Sequence, residues 1–234
     1  ASTKTYDVNS GTVDIRSLAL VSGTTDVYRA EKVFTADNGE EGDALIRIVS
    51  KGSNVGYVVF EHHTTNPQLF SPRFSSNNGQ DAEVTFKIAF VEGSSNSAVA
   101  LSNFYVTGYD VDGTSSNREY AVLEGVSSYL VEPDGQGVKA SFVDNNTVSF
   151  SGTQDMGPFD PDTSYQANYD IPKTDFEITL GTTYTNQRYF YVSVGAADVT
   201  FSNSANTVLA KDALTATATI VEPPAGLKIY DATV

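Results

Sequence analysis

Hydrophobic and polar residues alternate with a period of two along most of this chain. The clearest cases are residues 84–90, 175–180 and 213–221. Successive side chains of an extended strand point to opposite faces, so this alternation predicts strands that bury one face. No window carries the i, i+3, i+4, i+7 spacing of an amphipathic helix with capping residues. The chain is therefore predicted to be all-β.

Further segments rich in apolar, aromatic and β-branched residues predict additional strands. They are residues 12–20, 27–35, 44–49, 55–61, 99–109, 119–123, 127–132, 137–143, 147–151 and 187–194. Their spacing is close to the interval of about 8–12 residues that is typical of β-sandwiches and barrels. We predict one antiparallel β-sandwich over residues 1–234, with jelly-roll or Greek-key connections. Two smaller packed sandwiches are the alternative.

Three segments break this regularity. The polar loop 93–97 is a candidate domain boundary, and a Pro-rich bend at 222–225 lies within the C-terminal strand and tail, residues 213–234. Residues 152–174 form the longest stretch without periodicity and contain three prolines. Loops of this length are uncommon in compact domains and are often functional, although a passive surface loop is the alternative.

The chain is strongly acidic, with 29 Asp and Glu residues against 14 Lys and Arg residues and a net charge of −15. This excess repels nucleic acid and anionic membranes, and we predict neither as a partner. It favours hard cations such as Ca²⁺, although acidity also serves solubility alone. The absence of cysteine excludes disulfides and thiol chemistry, and no apolar run is long enough to span a membrane.

Residues 103–120 carry the most informative pattern. A predicted strand runs into residues 110–113, Asp-Val-Asp-Gly, which place two carboxylates in one tight turn before Glu119. Carboxylates spaced in this way begin short Ca²⁺-binding loops, so Asp110, Asp112 and Glu119 are the candidate metal ligands. A complete EF-hand is excluded, because Ala121 stands where that motif requires its final Glu. An ordinary turn without metal is the alternative.

The order of these residues resembles a β-sandwich module of large bacterial surface adhesins and of secreted proteins from marine microbes and algae. The matching residues, within about 95–200, are Phe104, Asp110, Asp112, Gly113, Glu119, Tyr120, Ser128 and Tyr129. The resemblance implies an extracellular, Ca²⁺-associated binding or structural role. It carries the calcium cluster over to Asp110, Asp112 and Glu119 only.

The sequence offers little that points to catalysis. His62 and His63 are adjacent, and neighbouring strand residues face opposite ways, so we predict surface histidines rather than a metal site. There is no nucleophile elbow, phosphate-binding loop or zinc-protease motif. We predict that the protein is not an enzyme.

A carbohydrate-binding, lectin-like module is the alternative function. The chain has no Trp, so tyrosines would have to provide the surface on which a sugar ring stacks. Tyr165 and Tyr169 are the candidate ligand-binding residues, because the irregular segment 152–174 is expected to expose them.

The two ends of the chain suggest assembly. Residues 213–221 form a long uncharged strand, and residues 3–8 form an extended arm. An uncharged edge can accept a strand from a neighbour, although an interior position for 213–221 is the alternative. We predict an extracellular or cell-surface protein with an adhesive or structural role, stabilised by Ca²⁺ and polymerising into fibres by strand addition. Its partner would be another copy of itself, or a surface glycan or protein.

Overall fold

A computed structural model describes residues 3–8, 11–36, 38–133, 137–196 and 199–202, together with the backbone of 207–208. The strands of this part of the chain are β1 (Lys4–Asp7), β2 (Ala19–Leu20), β3 (Val27–Thr35), β4 (Glu41–Lys51), β5 (Val59–Phe60), β6 (Pro72–Phe74), β7 (Ala82–Glu92), β8 (Val99–Ser102), β9 (Phe104–Tyr109), β10 (Glu119–Glu124), β11 (Ser128–Leu130), β12 (Val138–Asp144), β13 (Thr147–Gly152), β14 (Tyr165–Tyr169), β15 (Asp175–Thr182), β16 (Arg188–Tyr189), β17 (Tyr191–Gly195) and β18 (Thr207–Val208). One short 3₁₀-helix spans Pro161–Thr163. Within the described ranges, no helix is long and apolar enough to cross a membrane.

Two antiparallel sheets make up most of the structure. The larger has eight strands in the order β12-β13-β10-β15-β7-β4-β3-β2, and the smaller has five in the order β17-β9-β14-β11-β18. Between β9 and β15 the chain repeatedly crosses from one sheet to the other, because β9, β11 and β14 belong to the smaller sheet and β10, β12, β13 and β15 to the larger. The predicted all-β antiparallel sandwich is confirmed.

Two smaller groups of strands complete the described fold. One is the three-stranded sheet β16-β6-β5, and the other is the parallel pair of β1 with β8. β1 belongs to the predicted extended arm, and Lys4 Nζ lies 3.1 Å from Glu40 and 3.0 Å from Glu92. The arm is therefore docked on its own chain. The predicted strand 213–221 and the tail to residue 234 lie outside the described residues.

Aromatic side chains join the two main sheets. The Phe150 ring of β13 stacks on the Tyr165 ring of β14 with centroids 4.1 Å apart and planes 3° from parallel. The Phe90 ring of β7 meets the Phe104 ring of β9 edge-on at 6.0 Å. Each of these four rings is at most 1% exposed. Buried aromatic pairs contribute about 0.5–1.5 kcal/mol beyond the area they bury, so these contacts fix how the sheets face each other.

Three aromatic rings lie flat over glycines on the neighbouring strand. The cross-strand pairs are Phe34 with Gly42, Tyr120 with Gly181, and Tyr165 with Gly108. A Cβ atom placed on Gly108 would lie 2.2 Å from the Tyr165 ring, and one on Gly181 would lie 2.1 Å from the Tyr120 ring. Only glycine leaves room for a ring at these positions, and the ring in turn covers the exposed glycine backbone.

Several predicted strand boundaries need correction. The predicted strand 99–109 divides at Asn103, which has a φ of 51°, and the two halves enter different sheets. The predicted strand 187–194 divides at Phe190 into β16 and β17, which also belong to different sheets. Of 12–20 only Ala19–Leu20 is a strand, and the irregular segment 152–174 contains both the 3₁₀-helix and β14. The division of the chain into domains stays a prediction.

Candidate functional site

Asp112 and Glu119 are buried where the chain passes from the smaller sheet to the larger. They lie at the two ends of the connection between β9 and β10, and are only 3% and 1% exposed. The Glu119 N–H donates to the Asp112 carbonyl at 2.7 Å, and the Asp112 N–H donates to Glu119 Oε2 at 3.1 Å. These reciprocal bonds hold the two carboxylates side by side. Two of the three predicted metal ligands are therefore neighbours in the fold.

Arg188, the first residue of β16, inserts its guanidinium between these carboxylates. Its Nε lies 2.5 Å from Glu119 Oε1, and its Nη2 lies 2.5 Å from Asp112 Oδ2. The Tyr184 ring lies beneath the same guanidinium, 4.4 Å from the ring centroid to Cζ. The planar fork of arginine suits such two-pronged binding of carboxylates. We name this group the Arg188 clamp: Arg188, Asp112 and Glu119.

Sequence reasoning missed Arg188, although one signal was present. It stands beside the aromatic and apolar residues of a predicted strand, and charged residues in such positions are rarely buried unless they are paired. The sequence does not say which acid is the partner, because Arg188 is separated from Asp112 by 76 residues. The end of β15 brings the chain beside the cluster, because Thr182 is the cross-strand partner of Glu119, and the pairing of β16 with β6 then positions Arg188.

The Arg188 clamp does not fit a calcium site in this arrangement. Every carboxylate oxygen of Asp112 and Glu119 already accepts a hydrogen bond, from Arg188, from the Asp112 N–H or, at 3.5 Å, from the Met156 N–H. Among the residues that the structure describes, no three acidic or histidine side chains form a group that could hold a metal ion. Calcium binding by Asp110, Asp112 and Glu119 stays a prediction, and Arg188 is the cation that the carboxylates of Asp112 and Glu119 contact.

The cluster holds more negative than positive charge. Burial, reinforced by the charge of Asp112, raises the pKa of Asp110 to about 6. Burial also raises the pKa of Glu119 to about 8, against the opposing effect of the Arg188 guanidinium. Burial and the nearby Asp155 raise the pKa of Asp112. One guanidinium does not compensate several partly or fully buried carboxylates, so the folded protein retains protons that the unfolded chain releases.

The candidate ligand-binding tyrosines are in the core. Tyr165 and Tyr169 are each 0% exposed, because β14 is the central strand of the five-stranded sheet. Tyr169 stacks on Phe104 at 5.0 Å and donates from its hydroxyl to the Glu124 carbonyl at 3.0 Å. The expectation that both tyrosines are exposed is wrong, and their rings pack against the larger sheet instead of facing a ligand.

The two histidines are in different environments. His62 is exposed as predicted, whereas His63 is half-buried. The His63 ring packs edge-on against Phe159 and Tyr191, with centroids 5.0 Å away in both cases. Its Nδ1 accepts a hydrogen bond from the Asn66 N–H at 3.1 Å. His63 therefore belongs to an aromatic cluster at the surface.

Comparison with known proteins adds little to this geometry. No protein-family model matches the chain, and no curated protein sequence is similar to it at a significant level. Among solved structures, it is similar to the N-terminal domain of the Streptococcus gordonii adhesin Sgo0707, with 10% identity and a TM-score of 0.49. The match covers 85% of this chain and 58% of that one. A likeness at this level does not establish a shared function.

Loss of Arg188 should destabilise the protein strongly. In an Arg188→Met variant two buried carboxylates lose their cation, and breaking such a buried pair costs about 3–5 kcal/mol. Arg118→Met is the matched control, because Arg118 pairs with Asp81 at the surface, where both side chains are about half exposed. Exposed pairs contribute about 0–1 kcal/mol. Urea unfolding of both variants measures the difference, and equal losses would contradict a special role for the clamp.

Stability should fall as the pH rises from mildly acidic to mildly basic. The pKa values of Asp110 and Glu119 rise on folding from 3.8 to about 6 and from 4.5 to about 8, so the folded state binds more protons in this window. The stabilisation that these two protonated groups give to the folded state is complete below about pH 4. It is lost as the pH passes 6 and then 8. Urea unfolding across this range measures it. Asp110→Asn should flatten the lower part of the curve, and stability that rises with pH would refute the assignment.

Proposed function

We propose that this chain is an adhesive and structural β-sandwich module of the cell surface, which joins a second copy of itself by strand addition at β12. The observation that carries the proposal is the outer edge of β12, which pairs with no strand in the part of the chain that the structure describes. This strand ends the eight-stranded sheet, and Phe142 and Val143 on it are 56% and 63% exposed. Exposed apolar residues on a long free edge are a ready surface for another strand.

The other sheet edges in the described part of the chain are less suited to strand addition. β2, at the opposite end of the larger sheet, has only two residues. β17, at one edge of the smaller sheet, is covered, because Phe70 exchanges backbone hydrogen bonds with Val192 at 2.9 and 3.0 Å. β12 has seven residues, and along 139–144 the described chain supplies no backbone partner on its outer side. Strand addition is therefore best supported at β12.

The proposal places assembly at a different edge from the one that the sequence suggested. The extended arm would have to leave β8 and break the bonds from Lys4 to Glu40 and Glu92 before it could serve a neighbour. β12 needs no such rearrangement.

Self-association tests this function. Sedimentation velocity over a hundredfold concentration range should reveal oligomers, and negative-stain microscopy should reveal fibres at high concentration. Phe142→Lys should weaken association about tenfold or more, because burying a Phe side chain contributes about 1.5–3 kcal/mol. Ile171→Lys is the matched control, because Ile171 is equally exposed at 57% but lies between β14 and β15. A monomer at every concentration, or equal weakening by both variants, would refute the proposal.

Calcium stabilisation is a separate proposal within this function. A cation that binds only the folded protein raises its melting temperature. Asp112 and Glu119 would have to exchange Arg188 for the ion, whereas Asp110 is a candidate ligand outside the clamp. Melting is compared in Ca²⁺ and in EGTA. A rise in Ca²⁺ that Asp110→Asn abolishes supports the site, whereas equal melting temperatures leave Arg188 as the charge compensation and reject calcium.

A further inference from the structure

A groove opens beside the aromatic cluster that contains His63. Its volume is about 560 Å³, within the range of about 300–1,000 Å³ that is usual for small-molecule sites. One wall is formed by residues 66–69, and the other by Phe159 and Pro161 at the start of the 3₁₀-helix. Tyr109, the last residue of β9, also lines it. We call this the Phe159 groove. It includes no residue of β12 and none of the Arg188 clamp.

The Phe159 ring is held rigidly in this wall. Phe159 has a φ of 65°, a left-handed conformation that is rare for a bulky residue and costs about 1–3 kcal/mol. The chain after it is fixed, because the Ser164 hydroxyl donates to the Asp160 carbonyl at 2.7 Å. The ring lies 5.0 Å from Tyr109 and 6.0 Å from Tyr191. It is only partly buried, so one part of a preorganised aromatic surface faces outwards.

The opposite wall presents amide groups. The backbone of Gln68 is fixed, because its carbonyl accepts from the Ile15 N–H at 3.0 Å. Its half-buried side chain forms no hydrogen bond with the part of the chain that the structure describes. Asn66 is held by the bond from its N–H to His63. Both residues line the groove, together with Thr12 and Thr200.

Among the residues that the structure describes, those lining the groove carry no charged side chain, although the protein has a net charge of −15. Charged groups form their strongest hydrogen bonds with an oppositely charged partner. A charged ligand would find no such partner among these lining residues. A purely apolar ligand would bury the amide of Gln68 without a partner, which costs about 1–3 kcal/mol. The lining therefore selects a neutral ligand that has both hydroxyl groups and an apolar face.

We propose that the Phe159 groove binds a neutral oligosaccharide. The C–H face of a sugar ring would pack on Phe159, and ring hydroxyls would exchange hydrogen bonds with the Gln68 and Asn66 amides. This binding activity goes beyond self-association through β12, and each can fail without the other. It also differs from the carbohydrate site expected at Tyr165 and Tyr169, which are in the core.

Calorimetric titration of the whole chain with defined sugars tests the proposal. The probes are maltohexaose, cellohexaose, laminarihexaose and xylohexaose, with hexagalacturonic acid as the charged comparison. At least one neutral sugar should bind, and the acidic one should not. Binding by none of the four neutral sugars, or tighter binding of the acidic one, would overturn the proposal.

Two groove variants and one control locate the site with whichever neutral sugar binds. Gln68→Ala should weaken affinity about tenfold, the value of one well-placed hydrogen bond. Phe159→Leu keeps an apolar side chain but removes the ring, and should weaken binding at least as much. Tyr57→Ala removes an exposed tyrosine, 68% accessible, that does not line the groove, and should leave affinity unchanged. If Phe159→Leu lowers the melting temperature, Gln68→Ala decides, and unchanged affinity in Gln68→Ala refutes the assignment.

Discussion

The contact between Arg188 and the buried carboxylates of Asp112 and Glu119 is the constraint on which the junction of the two sheets depends. The chain passes between the sheets at this point, so the acids at the ends of the crossing cannot reach water. Asp43 provides a contrast elsewhere in the larger sheet. Burial there works towards a higher pKa, but hydrogen bonds from the Lys32 N–H and from Arg29 lower the pKa below its ordinary value. Around Arg188 the acids outnumber their cation, and their pKa values rise.

Rigidity in this fold comes from rings packed against small residues. Tyr165 covers Gly108 on one side and stacks on Phe150 of the other sheet. Such a ring is fixed by both sheets at once, and interiors packed this densely tolerate little change of volume. Ring packing of this kind continues to the surface, because the Phe159 ring contacts the Tyr109 ring at the end of β9. A preorganised surface binds a ligand with less loss of conformational freedom than a loop that must order first.

The errors of prediction have identifiable causes. Residues 152–174 were predicted to be irregular because prolines and glycines surround a strand of only five residues, β14. The alternation of Tyr165, Ala167 and Tyr169 is a period-two signal of three positions, too short to stand out beside Gln166 and Asn168. The acids at 112 and 119 were found because Asp110 and Asp112 are a close pair of carboxylates in the sequence and Glu119 follows them. Their partner was missed because ion pairs between distant residues leave no local pattern.

The sequence by itself determined that this protein is built of strands, and it located most of the long ones. A strand that buries one face must alternate, and β7 and β15 do so over most of their length. Tertiary structure alone decided which strands are neighbours, that an arginine from β16 pairs with the acids of the β9–β10 crossing, and that residues 66–69 face Phe159 across a groove. These are contacts between residues far apart in the chain. Local periodicity reports which face is buried, and not what it is buried against.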